Sequence, residues 1–215
     1  MVWLAAFTFT ALPVARGQVR QGSFTPVVES LDRGYSSISY WTYRDDGVEI
    51  GGGRISVEHG KPSWPAALDS PESFDRATIG RLWRLGNNKW STLDTNLRLH
   101  FGDVVVEPGI YYVAVERPSA NGWGLVFISP EAVSGQLIDA WASQARPAEV
   151  PRLFTVALRH ASGDKASELD MSLSLSSGAM SEGSLVIRWG IHELDTAFSI
   201  EMVSPTFYRS GSSGK

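Results

Sequence analysis

The chain has 215 residues, of which 43% are hydrophobic and 20% charged, enough apolar material for one sizeable core. A formal net charge of −4, with Lys and Arg scattered singly, argues against nucleic-acid binding, which needs a concentrated basic face to displace phosphate counterions. The absence of cysteine excludes disulfides, thiolate metal sites, a cysteine nucleophile and a lipid-modified cysteine anchor.

Residues 1–17 read as a signal peptide: an apolar run from Val2 to Val14, with Pro13 preceding the small residues Ala15 and Gly17 ahead of Gln18. The run has no Lys or Arg before it and is too short to span a bilayer. The expectation is an exported protein, periplasmic or extracellular, with no stable membrane insertion once the signal is removed. Residues 18–34 form a polar lead-in segment carrying Phe24, Val27 and Val28.

From residue 35 the pattern alternates with period two. Ile38, Tyr40 and Thr42 alternate with Ser37, Ser39 and Trp41, and Asp45-Asp46-Gly47 follows as a turn. Gly51-Gly52-Gly53 leads into a second alternating run at 54–59, after which 60–75, with three prolines, reads as a loop. A strand is expected over 92–101, then a type II turn at Glu107-Pro108-Gly109. Strands over 110–116 and 123–129 are joined by a hairpin connection at 118–122. One helix follows: Ser129 suits the N-cap and Pro130 the first turn, Val133, Leu137, Ile138 and Trp141 recur at helical spacing, and Pro147 closes it. Further strands are expected at 152–159, 168–175, 184–189 and 196–202, and 204–215 is a Ser/Gly-rich flexible tail. Together these predict an all-β antiparallel β-sandwich of about ten strands with one short helix, occupying 35–203.

The densest cluster of functional residue types is Leu82-Trp83-Arg84-Leu85-Gly86-Asn87-Asn88-Lys89-Trp90. Arg84 among apolar neighbours reads either as a clamp tying a loop to the sheet, with acceptors such as Asn88, Glu58 or Glu168, or as a fork for an anionic ligand. The candidate ligand-binding residues are Trp83, Arg84, Asn87, Asn88, Trp90 and His59. Four histidines, His59, His100, His160 and His192, show no metal-ligand spacing, and no Gly-x-Ser-x-Gly elbow marks a nucleophile. Trp41, Trp64, Trp90 and Trp123 lie in or near loops beside polar residues, the composition of a sugar-stacking surface or of packed sandwich ends.

Ile55-Ser56-Val57-Glu58-His59-Gly60-Lys61-Pro62-Ser63, the Trp83-Arg84-x-Gly86-x-Asn88 core, Thr92-Leu93 and Val106-Glu107-Pro108-Gly109-Ile110-Tyr111 together resemble the bacterial domain of unknown function 2911 (DUF2911) family. The likeness runs over residues 35–203 and extends to Trp123-Gly124-Leu125-Val126-Phe127, Glu168, 185–189 and Phe198-Ser199-Ile200. Leu85, Asn87, Lys89 and Trp90 depart from the family pattern of Thr, Ala, Glu and a small residue. The resemblance implies an exported β-sandwich and supplies no activity.

The leading expectation is a non-catalytic binding or structural module of the bacterial envelope, without cofactor or metal, whose partner is a small molecule, a glycan or an envelope protein. The alternatives are a hydrolase assembled from His59, Asp94 and Arg84, and a carbohydrate-binding module.

Overall fold

The computed structural model describes residues 32–47, 49–86, 89–135 and 150–201. The expected signal peptide, residues 18–31 of the lead-in segment, the tail, Asn87 and Asn88, and the helical positions Leu137, Ile138 and Trp141 with Pro147 lie outside the described residues.

Within them the fold is the all-β antiparallel sandwich that the alternation predicts, with eleven strands and two short α-helices. The larger sheet has the order β1 (Arg33–Tyr43), β2 (Glu49–Gly60), β4 (Ser91–Thr95), β7 (Gly109–Ser119), β8 (Gly122–Ile128) and β9 (Arg152–Ala157), with β3 (Arg81–Trp83) also paired to β7. The smaller sheet runs β10 (Arg159–Ser176), β11 (Ala179–Glu201), β5 (Arg98–Phe101) and β6 (Val104–Val106). Alternate residues face the space between the sheets. Ile55 and Val57 of β2, Leu93 of β4 and Leu125 and Phe127 of β8 meet Leu99, Met171, Leu185 and Ile200 from the smaller sheet. A second, smaller cluster covers the outer face of the larger sheet, where Val133 of α2 (Pro130–Gly135) packs with Leu82, Trp90, Ala114, Val126 and Ile128.

Several expectations are corrected. The strand over 92–101 is two strands, β4 and β5, in different sheets. Thr95 Oγ1 donates to the Leu97 carbonyl at 2.8 Å and accepts from the Leu97 amide at 3.0 Å, turning the chain out of one sheet into the other. Glu107-Pro108-Gly109 is likewise a crossing from β6 to β7, and Gly109 does not take the positive φ of a type II turn. The 60–75 loop contains the start of a helix, α1 (Pro71–Thr78), with Ser70 as N-cap accepting from the Ser73 amide and Pro71 in the first turn. The strands expected at 184–189 and 196–202 are one strand, β11, carried through Gly190 at φ 60° by irregular pairing with β10.

Candidate functional site: a pocket at an interrupted strand

β3 and β4 pair with the same strand, β7. Trp83 lies opposite Val115 and Ser91 opposite Val113, so the chain leaves the sheet after Trp83 and rejoins it at Ser91 with the single residue Ala114 between the two pairings. The excursion is a β-bulge on a large scale, a device that re-aims side chains at a sheet rim.

It divides its own tryptophans between two faces. Trp83 packs against the inter-sheet core, while Leu82 and Trp90 belong to the outer cluster beneath α2. Trp90, 7% exposed, stacks on Tyr112 with centroids 5.3 Å apart and planes at 8°, and its carbonyl accepts from Arg33 Nη2 at 3.0 Å. Its outward aim follows from parity with Thr92 on β4, whose neighbours Ser91 and Leu93 are buried in the sandwich.

On the inner side the excursion forms the wall of a pocket. Trp83, Arg84, Leu85 and Gly86 line a cavity of about 280 Å³ together with Pro62, Ala77, Leu169 and Trp189. Arg84 is the largest fully buried side chain among the described residues, at 1% exposure. Leu85 has φ 55°, the left-handed region that disfavours a residue with a Cβ, and is the one such non-glycine among the described residues. That turn puts the Leu85 side chain into the core and its carbonyl onto the Ser91 hydroxyl. Sub-optimal backbone of this kind is held only where surrounding contacts over-determine it.

The opposite wall comes from far along the chain. The Trp189 indole meets Trp83 edge-on at 5.1 Å and 82°, and its Nε1 donates to the Pro62 carbonyl at 3.1 Å. Trp64 stands edge-on to Trp189 at 5.2 Å, and Gly190 makes room for it: a Cβ there would sit 2.4 Å from the Trp64 ring.

Behind this pocket a second recess of about 30 Å³ is lined by Phe74, Trp123, Trp189 and His192, a space of one or two waters by volume. His192 stacks on Phe74 at 3.6 Å and 8°, and its Nδ1 lies 3.0 Å from Nε2 of His160. One ring must donate and the other accept, so at least one is neutral. Burial, then His160, then Arg117 push His192 down to about 4, and burial also lowers His160. Arg117, 6% exposed, donates to Asp75 at 2.6 Å, Thr78 at 2.7 Å and the Ala120 carbonyl at 2.6 Å, and lies over the Trp123 ring at 4.8 Å. It ties α1 to the β7–β8 turn, a clamping role the sequence reading considered for Arg84 alone.

The other candidates are dispersed. His59 is buried, its Nδ1 2.8 Å from the Gly60 carbonyl and its Nε2 accepting from the Met171 amide at 3.1 Å; the bond it accepts and the burial that lowers its pKa both favour the neutral ring. It joins β2 to β10, and the lining of the pocket does not include it. Glu58 pairs with Arg33 and Glu168 with Lys61. Asp94 faces outward and pairs with Arg54 at 2.7 Å, so the proposed hydrolase set of His59, Asp94 and Arg84 does not converge. His100 Nε2 lies 3.0 Å from Glu201, beside Arg98. Among the described residues no group of three or more His, Asp or Glu is placed to hold a metal, and no helix is long and apolar enough to cross a membrane. Sequence reasoning did not bring Pro62, Ala77, Leu169 and Trp189 to the pocket or His192 to the recess behind it, and no local signal marks them, because they meet only through the pairing of distant strands.

The chain matches no protein-family model, no curated protein and no solved structure.

Proposed function

We propose that the protein is a non-catalytic, exported binding module of the bacterial envelope, similar to the DUF2911 family, whose pocket takes a small organic anion with a flat apolar body. The observation that carries this reading is a buried guanidinium on the wall of an otherwise apolar, tryptophan-sided pocket. A guanidinium carries five N–H donors, so it can bond an anionic head while keeping a partner within the fold, and aromatic walls accept a flat body. At about 280 Å³ the pocket lies at the small end of ligand sites. Among the described residues the pocket lining holds no Ser, His, Asp or Glu, which favours binding over hydrolysis. Export rests on the apolar run of residues 1–17.

The test is a calorimetric titration of benzoate, phenylacetate and indole-3-acetate beside their uncharged amides. At least one carboxylate binds saturably, and its amide binds at least about tenfold more weakly, the loss of one charge-assisted contact. Equal binding of acid and amide, or no binding by any of the three acids, contradicts the proposal.

A further inference from the structure

On the outer face of the larger sheet, sharing no lining residue with the 280 Å³ pocket, a second open groove of about 410 Å³ crosses β1, β2 and β4. Its lining includes Ser39, Trp41, Gly52, Arg54, Asp94 and Asn96. Trp41 is 61% exposed, a large apolar surface left to solvent on a residue type that is usually covered. It stands opposite Gly52, and a Cβ at Gly52 would come within 3.0 Å of the Trp41 ring. The missing side chain therefore lets the indole lie against the backbone, and the ring is supported from beneath.

Beside it the polar groups are held in place. Arg54 Nη2 donates to Asp94 at 2.7 Å, and the Arg54 amide donates to Asn96 Oδ1 at 2.6 Å. That contact orients the Asn96 amide nitrogen, and Arg54 and Asp94 keep further donors and acceptors facing solvent. Their charges cancel, so the groove offers hydrogen bonds in both directions without net charge. The track continues along β1, where Ser39, Ser37 and Tyr35 share the outward parity of Trp41 and are all exposed. Tyr35 is 60% exposed and lies about 20 Å from Trp41 by strand rise.

From these observations we infer that the β1–β2–β4 face is a binding track for a neutral polysaccharide chain. Sugar rings present apolar faces to an aromatic platform and hydroxyls to neighbouring amide, carboxylate and guanidinium groups, and an uncharged polymer matches a self-neutralised groove. This site is separate from the pocket and stands or falls without it.

Native affinity electrophoresis in gels holding hydroxyethylcellulose, laminarin or galactomannan tests it, with polygalacturonate as the anionic comparison. At least one neutral polymer retards the protein. Trp41→Ala weakens that retardation at least about tenfold, and Tyr35→Ala weakens it less, because the central stacking platform carries most of the contact. Both variants keep the wild-type melting temperature, since neither side chain is buried. Phenylacetate added to the gel leaves the retardation unchanged, which separates this site from the anion pocket. No retardation by any of the three neutral polymers, undiminished retardation of Trp41→Ala, or equal retardation by polygalacturonate overturns the inference.

Discussion

Trp83 and Trp90 lie seven positions apart in one short segment, yet they do different work. Trp83 is half-buried and edges a pocket between the sheets, whereas Trp90 is buried on the opposite face of the larger sheet, stacked on Tyr112 beneath α2. The difference teaches that an excursion from a strand is anchored and aimed by separate residues. Trp90 and Leu82 hold its two feet to the outer face, while Trp83, Arg84, Leu85 and Gly86 shape the inner cavity.

A large expected effect sharpens that division at Arg84. Replacing a fully buried guanidinium by alanine removes both its volume and its charge from a packed wall, so Arg84→Ala loses about 3 kcal/mol of stability. Urea denaturation measures it, and an unchanged midpoint refutes the view of Arg84 as a structural centre of the excursion. Arg84→Lys keeps the charge without the planar fork and falls between the two.

A smaller effect concerns pH. The folded protein holds His192 at about 4, chiefly by burial and by His160 beside it, against an ordinary value of 6.5. The unfolded chain therefore takes up a proton that the folded one refuses, and the contribution of neutral His192, complete above pH 6.5, declines as pH falls to about 4. The downward shifts of His59 and His160 act with the same sign. His192→Phe, which keeps a ring against Phe74, flattens the melting temperature between pH 6.5 and 4; an unaltered acid limb in that variant contradicts the assignment.

The sandwich itself was legible because alternation reports which face of a strand is buried, as in β2, where Ile55 and Val57 are buried and Arg54 and Glu58 exposed. The break at Asn96-Leu97 was not, since Leu93 and Leu99 enter the same core from different sheets and the period-two pattern passes through unchanged. The start of α1 was hidden because Ser70-Pro71 begins a helix with the residue types that also mark a loop. The costly residues of 82–90 stood out locally. What they build did not, because it depends on β3 and β4 sharing β7 and on Trp189 and Pro62, more than a hundred positions apart in the chain, meeting at its rim.

The most direct measurement compares Trp83→Ala with Trp90→Ala, each titrated with phenylacetate at a temperature where both variants are folded, alongside their unfolding free energies. Trp90→Ala loses about 3–5 kcal/mol of stability yet binds within about twofold of wild type, the signature of a core truncation away from the ligand. Trp83→Ala loses less stability and at least about tenfold in affinity, because its ring forms the pocket wall. The reverse pattern, with affinity lost at Trp90 and retained at Trp83, contradicts the division of the segment into an anchoring face and a binding face.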